Sequence, residues 1–439
     1  MIHWRAAALV LATCLLVAPR GTAQTAETSA SPPGAAPADQ DEPEPASPPA
    51  VRWRPLPSVR LGDRLRFDVH FRLQVDGRAS EAPLEEQDDG NPRFDLSRRR
   101  VSIEGVAFDQ LEFEIEREIT GDEPWRDVFV NYRADPRVQV QAGHFRLPFS
   151  LDQDIGATHR DFVSRSLAGR QLGPGRDPGV MVHGRVLRRL RYEAGLFRND
   201  GRNARTRNPE RVAGGRTFAW RVVAQPWRGE KQHLLEDLQF GVARTSSDVP
   251  LGIPALRAET VLESVFFASD TPVLGARHRT GLEARWRSGP FSVVGEYIRM
   301  TTAREGQSVE DGDLSPLLAH GWYLTGTWAI TGEQKSRGLT SPRRPLFRGG
   351  PGAIELAARI ERLAFGSTAS GEPGSTSPRA DVVLPNADRA TTIGVNWYLN
   401  RYVKVQANIV RERLDDPARG PMPAQPAFWS RVLLLQITL

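Results

Sequence analysis

The 439-residue sequence contains one cysteine and only three lysines. The cysteine, Cys14, lies in an apolar stretch at the N-terminus, so a chain without that stretch has none. A disulfide framework, a cysteine-based metal site and a cysteine nucleophile are then excluded. The eight histidines are scattered without metal-ligand spacing. We therefore predict no metal site and no bound cofactor.

Long apolar runs are missing beyond the N-terminus. No stretch of about 20 apolar residues, the length with which an α-helix crosses a bilayer, follows residue 23. Neither sign of charge dominates, because 58 basic and 53 acidic residues give a net charge of +5, which falls to +3 without Arg5 and Arg20. A nucleic-acid-binding domain, which usually shows a concentrated basic patch, is not expected.

The N-terminal residues have the features of a targeting segment. In residues 1–23, Arg5 precedes an apolar run from Ala6 to Ala18, and small residues follow at a possible cleavage site. This predicts a secretory signal peptide and export from the cytoplasm. Residues 24–60 are rich in Ala, Pro, Ser and acidic residues, which predicts a disordered linker. Residues 61–439 remain as the folded domain.

From about residue 62 the sequence alternates between apolar and polar side chains. Leu65, Phe67, Val69, Phe71 and Leu73 are separated by polar residues, and roughly sixteen or seventeen similar runs continue to the C-terminus. Many runs reach the length of about 9–11 residues that a membrane-spanning β-strand needs. Short connections alternate with long polar ones, as in outer-membrane barrels. The pattern predicts an all-β protein, a transmembrane antiparallel β-barrel.

Aromatic residues near the ends of the predicted strands fit the girdles that mark the two membrane interfaces. They are Trp227, Tyr323, Tyr398, Tyr402 and Trp429.

Several ordered segments resemble the phosphate-selective porin O and P family of outer-membrane porins. They are GHFRLPF at 143–149, FVSRSL at 162–167, GRDPGV at 175–180, RTGLE at 279–283, GPFS at 289–292, GAIELAAR at 352–359 and GVNWYLN at 394–400. The resemblance covers about residues 60–439. It implies a sixteen-stranded homotrimeric porin of the Gram-negative outer membrane, with passive diffusion of anions such as phosphate.

The resemblance also implies contact with outer-membrane lipid and lipopolysaccharide. One feature differs, because the best-known members carry lysine clusters near the pore mouths and this chain has three lysines in total. From the resemblance we therefore predict a pore for this chain, but not the phosphate specificity of those members.

Side chains out of phase with the apolar set are expected to line the pore. The basic candidates on strands are Arg66, Arg72, Arg98, Arg100, Arg285, Arg359 and Lys404, mixed with Asp68, Glu104, Glu283, Glu296 and Glu355. Because these inward residues include both cations and anions, the alternative of a polar lumen without ion preference remains open. The row Glu112, Glu114, Glu116 and Glu118 would pair with arginines across the strands, such as those of residues 98–100.

The segment 150–177 is expected to fold inward and narrow the channel. It holds Arg160, Arg165, Arg170 and Arg176 together with four aspartates. Arginines at a constriction would raise the local anion concentration. The alternative is that each arginine only braces a neighbouring aspartate.

Two other functions remain open from the sequence. An outer-membrane hydrolase needs a His and a Ser within hydrogen-bond reach. His144 and Ser150 are close in sequence, but no acidic partner is apparent, so we predict no catalytic residues. A structural barrel that tethers the envelope through the Pro-rich segment is the second alternative.

Overall fold

The computed structural model describes residues 50–52, 57–62, 64–82, 93–119, 124–201, 215–230, 233–249, 258–267, 271–335, 341–369, 374–377, 379–422 and 425–439. The predicted signal peptide and most of the predicted linker lie outside them. All described residues belong to one compact unit, residues 47–439.

Sixteen antiparallel strands close into a barrel, which confirms the predicted fold class. They are β3 (Leu65–Ser80), β4 (Arg93–Ala107), β5 (Leu111–Glu118), β6 (Trp125–Asp135), β7 (Val138–Arg146), β8 (Arg176–Val186), β9 (Leu190–Phe197), β10 (Thr217–Ala224), β11 (Gln239–Val249), β14 (Gly275–Ser288), β15 (Phe291–Arg304), β16 (Leu314–Ala329), β17 (Ala353–Ser367), β18 (Asn386–Tyr398), β19 (Val403–Leu414) and β20 (Ala427–Thr438). Each strand pairs with the next, and β20 pairs with β3 to close the ring.

Four short strands accompany the barrel. Strands β1 (Ala50–Arg52) and β2 (Ser58–Leu61) pair with each other, and β2 pairs with the start of β3. Strand β1 and all of β2 except Leu61 lie within the predicted linker of residues 24–60, so ordered backbone begins before the predicted domain boundary. Strands β12 (Ala258–Glu259) and β13 (Val265–Phe267) form a separate hairpin between β11 and β14.

The alternation of the sequence becomes an alternation of burial. Along β18, for example, Ile393 and Val395 are exposed on the outer surface, whereas Thr392 and Asn396 are buried inside. Successive side chains of a strand point to opposite faces, so one face of each strand meets lipid and the other meets the lumen. The predicted girdle is wrong for Tyr323 and Tyr398, which are buried on the inner face and bind Glu296 and Glu355.

The two ends of the barrel differ in the length of their connections. Tight three-residue turns at 108–110 and 187–189 contain left-handed residues, Phe108-Asp109 and Leu187-Arg188. The opposite end carries long loops, including 147–175 and 250–274. In outer-membrane barrels the long loops are extracellular and the short turns periplasmic. The last strand, β20, ends on the periplasmic side.

The seam of the barrel lies along β3. Strand β20 pairs with Arg72 to Ser80, and β2 continues along the same edge and pairs with Leu65 to Asp68. The C-terminal Leu439 exchanges two backbone hydrogen bonds of 2.9 Å with Phe71. The full length of β3 is therefore paired on this edge, and no open ladder faces the lipid.

Two extracellular connections fold into the barrel. The connection 147–175, which we call the constriction loop, contains two short helices, α1 (Leu151–Asp154) and α2 (Leu167–Gln171). Helix α2 and the β12–β13 hairpin pack with inward side chains of β15–β20 into an apolar core that includes Leu167, Phe266 and Phe365. Within the described residues, none of the helices is long and apolar enough to span a membrane.

Gly143 in β7 is a position that requires glycine. Its φ is 136°, and a Cβ built there would lie 2.3 Å from the carbonyl oxygen of Val128. We expect Gly143→Ala to destabilise the folded barrel by about 1–3 kcal/mol, because a side chain at such a φ is strained and β6 must also move. The midpoint of urea unfolding, followed by heat-modifiable mobility on gels, measures the effect.

Gly326→Ala is the matched control, because no atom lies within 4 Å of a Cβ at that strand position. Equal midpoints for the two variants would show that β7 does not need its unusual backbone.

Candidate functional site

The constriction loop crosses the lumen because inward side chains of distant strands bind its backbone. At its start, the Glu296 carboxylate of β15 accepts hydrogen bonds from Ser150 Oγ at 3.1 Å and from the amides of Leu151 and Asp152 at 3.2 Å. These amides belong to the first turn of α1, where an anion is electrostatically favoured. Glu296 therefore fixes the first third of the loop against the wall.

The tip of the loop reaches the opposite side of the barrel. Lys404 of β19 donates to the carbonyl oxygens of Thr158 and Arg160 at 3.2 and 3.1 Å. Asn396 of β18 donates to the Asp161 carbonyl at 3.0 Å, and Asn408 accepts from the Val163 amide at 2.9 Å. The loop is thus held against β18 and β19 by side chains that alternation alone had placed inside.

A connection at the periplasmic end of the barrel also binds the tip of the constriction loop. Lys335, in the segment between β16 and β17, binds Asp161 at 2.5 Å and also binds Glu355. Burial alone would lower the pKa of Lys335, but these two carboxylates outweigh it and raise that pKa. The loop tip is therefore fixed from both the wall and the periplasmic side.

Seven arginines meet where the loop faces the uncovered wall of β3–β8. We call these seven the arginine cluster. They are Arg72 on β3, Arg98 and Arg100 on β4, Arg146 and Arg176 at the ends of β7 and β8, and Arg160 and Arg165 of the constriction loop. Arg72 is paired directly with Arg100, and Arg146 with Arg176, in the strand register. The others are coupled through their charges, because the charge of Arg165 acts on Arg98 and those of Arg98 and Arg100 act on Arg160.

Carboxylates on β5 and β6 neutralise part of the cluster. Arg100 binds Glu116 at 2.8 Å and Glu118 at 2.5 Å, which confirms the predicted pairing of the glutamate row with arginines. Arg176 binds Asp127 through two hydrogen bonds of 2.9 and 2.5 Å. One carboxylate oxygen each of Glu114, Glu116 and Asp127 lie within 4.8 Å of one another. Arginines of the cluster bind two of these carboxylates, those of Glu116 and Asp127.

Three members of the cluster have no carboxylate partner. Among the described residues, no carboxylate oxygen lies within 4.0 Å of Arg98, Arg146 or Arg160. Arg160 is only 6% exposed, and its Nε has no hydrogen-bond partner. Burial lowers the pKa of Arg160 well below its usual range, and the charges of Arg98 and Arg165 lower it further. Because arginine stays protonated in proteins, a buried positive charge remains there without a partner.

The aspartates of the loop serve different partners. Burial alone would raise the pKa of Asp154, but Arg221, Arg191 and Arg146 hold it at about 2. Asp154 lies 3.3 Å from Arg221 of β10, which also binds Glu283 at 2.9 Å. Asp152 lies 3.8 Å from Arg165. The predicted bracing of arginines by neighbouring aspartates therefore applies to Arg165 within the loop.

Five of the eleven predicted pore residues lie outside the cluster. Arg66 pairs with Asp68 at 2.8 Å in the periplasmic half of β3, and Arg285 donates to Gln239 at 2.6 Å on the far wall. Arg170 holds the β12–β13 hairpin through the Val261 carbonyl and Glu263, both at 3.2 Å. These three lie outside the arginine cluster.

Arg359 and Lys404 bind the backbone of the constriction loop from the inner wall of β17 and β19. Both are almost fully buried, at 4% and 2% exposure. Arg359 donates to the Ser164 carbonyl at 3.2 Å and lies 4.7 Å from the ring of Phe162. Alternation correctly placed these side chains on the inner face, but the loop covers them.

Arg146 was missed by sequence reasoning. It is the last residue of β7, and it donates to the Asp154 carbonyl at 3.0 Å. Its place immediately before the loop, inside the segment 143–149, was the available signal.

A cavity of about 340 Å³ opens on the periplasmic side of the cluster. Its lining includes Arg72, Arg100, Glu104, Glu114 and His159. The loop tip, β3–β5 and the periplasmic ends of β18–β20, including Lys404, border it. Charged groups of both signs therefore border the way out of the constriction.

The residues of the hydrolase alternative are not assembled. Ser150 donates to Glu296 and caps α1, whereas a ring nitrogen of His144 contacts the Arg126 carbonyl. The His and Ser needed for acyl transfer are bound to different groups.

A sixteen-stranded barrel with a polar lumen, narrowed by an inward loop, defines an outer-membrane channel of the porin class. Residues 67–428 match the family described as phosphate-selective porin O and P, and the chain belongs to this family.

Two relatives and one solved structure are similar to the chain. An uncharacterized protein of Caulobacter vibrioides is 28% identical over 368 residues, which cover 79% of this chain and 69% of that protein. Porin O of Pseudomonas aeruginosa is 27% identical over 144 residues, 31% of this chain and 30% of that protein. The trimer form of OmpT, an outer-membrane protein of Vibrio cholerae, has a TM-score of 0.54 at 12% identity and covers 86% of this chain and 100% of that one. At this identity the likeness to OmpT shows the fold alone.

The position of the constriction loop can be tested with a disulfide. A Cβ built at Gly321 of β16 would lie 3.0 Å from Ala168 Cβ in α2, a few tenths of an ångström below the usual disulfide range of about 3.5–4.5 Å. In a chain without Cys14, we expect the Ala168→Cys/Gly321→Cys variant to form the bond on oxidation, with single-channel conductance near that of the parent. Non-reducing gels and thiol labelling measure the bond.

Each single cysteine variant is the control and should keep a reactive thiol. A folded double variant that stays reduced under oxidising conditions would contradict the position of α2.

Proposed function

We propose that the protein is an anion-preferring diffusion porin that passes small anions, phosphate among them. The observation that carries the proposal is the excess of unpaired cations at the constriction, where Arg98, Arg146 and Arg160 have no carboxylate partner among the described residues. An anion beside Arg160 would supply the missing partner of a buried charge. The same position would repel cations.

Electrostatics at this place acts strongly on passing ions. The cluster lies between the protein wall and the loop, where charges are screened less than in open water. Guanidinium groups also match phosphate oxygens with paired hydrogen bonds. The neighbouring pairs with Glu116, Glu118 and Asp127 limit the net charge, so a weak to moderate preference fits better than an exclusive phosphate channel.

The proposal also covers the oligomeric state, the route of export and the lipid surroundings. We propose a homotrimer, supported by the trimer form of the structurally similar OmpT. We also propose export through the signal peptide of residues 1–23, with outer-membrane lipid and lipopolysaccharide around the barrel. The Arg residues of the cluster, and not the other predicted pore residues, are proposed as the anion-contacting groups.

The anion preference depends on the unpaired arginines. We expect Arg98→Ala/Arg160→Ala to shift the reversal potential in a KCl gradient away from the chloride side. We also expect the phosphate concentration that halves the chloride current to rise about tenfold or more, because a hydrogen bond to a charged group contributes about 1.5–3 kcal/mol. Planar-bilayer recordings measure both quantities.

Arg66→Ala/Arg285→Ala is the matched control, because it removes the same charge from lumen positions outside the cluster. Equal losses in the two variants would assign the preference to overall lumen charge. If the wild-type channel conducts without ion preference, the protein is still a porin, but the proposed anion selectivity is contradicted.

A further inference from the structure

The outer surface of β18–β20 carries a group of arginines near its extracellular end. We call Arg389, Arg411, Arg413 and Arg431 the rim patch; all four are exposed and lie in the outward phase of their strands. Arg389 and Arg413 are directly paired across β18 and β19. Arg411 is paired with Trp429, and Arg431 with Ile409. Four guanidinium groups thus share three neighbouring strands.

The rim patch has a surplus of positive charge. Asp415 lies 3.1 Å from Arg389 and 2.9 Å from Arg362 at the edge of the patch. Arg411, Arg413 and Arg431 have no carboxylate oxygen within 4.0 Å in the part of the chain that the structure describes. The nearby Glu81 carboxylate accepts from the Trp429 amide at 2.8 Å. Like charges that face each other across strands are unfavourable, so an external anion would stabilise this surface.

Immediately towards the middle of the barrel the same outer face is apolar. Ile393, Ile409 and Leu433 are 64%, 52% and 43% exposed. Between the apolar rows and the cations, the Arg411 guanidinium lies 5.2 Å from the ring of Trp429. Aromatic side chains of this kind mark the membrane interface. The rim patch therefore lies at headgroup level, beside the acyl-chain region.

We propose that the rim patch binds the phosphate groups of a phosphorylated glycolipid of the lipid A type in the outer leaflet. Its acyl chains would lie on Ile393, Ile409 and Leu433. Arginine pairs well with phosphate oxygens, and a ligand with both a multiply charged head and apolar chains matches both halves of this surface. The long loops place the patch at the extracellular end, which selects the outer leaflet. The inference rests on the proposed contact with outer-leaflet lipid and is independent of the ion preference of the pore.

The test compares two triple variants of the full barrel in detergent micelles. The patch variant is Arg411→Ala/Arg413→Ala/Arg431→Ala. The control variant is Arg216→Ala/Arg244→Ala/Arg299→Ala, which removes the same charge from exposed, outward positions elsewhere on the wall. Each protein is titrated with bisphosphorylated lipid A and with the same lipid after removal of its phosphates. Heat-modifiable mobility establishes that each barrel is folded.

We expect wild type and control to bind the bisphosphorylated lipid more tightly than the dephosphorylated one. The patch variant should lose roughly 100-fold in affinity for the bisphosphorylated lipid, because each arginine near a lipid surface contributes several-fold. Its binding of the dephosphorylated lipid should stay within about twofold of wild type. Millimolar inorganic phosphate should leave lipid binding unchanged.

Several results would overturn the inference. One is equal lipid A affinity of wild type and patch variant, and another is equal affinity of wild type for the two lipids. Displacement by inorganic phosphate would assign the patch to free anions. A lower oligomer population in the patch variant with unchanged lipid binding would assign it to a subunit contact. Reversal potentials of the same proteins test the pore separately, so the failure of one proposal does not imply failure of the other.

Discussion

The architecture depends on one constraint, which is that lipid offers no hydrogen bonds to the backbone. Each strand of a membrane-spanning sheet must therefore pair on both edges, and a closed barrel is the solution. The edge of β3 shows how strictly the chain satisfies this constraint. Its extracellular half pairs with β20, and its periplasmic half would be open without β2. The segment before the barrel thus completes the ladder at the point where the C-terminal strand ends.

Closing the ring creates an interior that must also be satisfied. On the side of β15–β20 the lumen is filled by α2 and the β12–β13 hairpin, which bury apolar surface against inward residues such as Phe365. Polar wall groups, including Glu296 and Lys404, bind loop amides and carbonyls that would otherwise lack partners. Unpartnered buried backbone groups are costly, so these contacts hold the loop in one place. The space left for solutes then lies beside β3–β8.

The arginine cluster follows from this displacement. Strand β3 brings Arg72 to the free wall, and β4 brings Arg98 and Arg100. The loop brings Arg160 and Arg165 close to them. Assembling seven cations is unfavourable by itself, and the carboxylates of β5 and β6 offset only part of that repulsion. On the outer surface the rim patch shows a related imbalance at the membrane boundary. In both places the protein presents guanidinium groups whose natural partner is an oxyanion.

Much of this was readable from the sequence, because β-strand periodicity is local. A period of two assigns each side chain to one face, so the barrel, the inward positions of Arg72, Arg98 and Arg100, and the outward isoleucines followed from the pattern. The same rule placed Arg359 and Lys404 inside, but it could not say whether a loop covers them. Whether an inward group faces water or another segment depends on contacts between residues far apart in the chain, such as the 246 positions that separate Thr158 from Lys404. Those contacts, which also brought Arg146 to the constriction, were decided only by the tertiary structure, because packing and hydrogen-bond satisfaction are properties of the closed barrel as a whole.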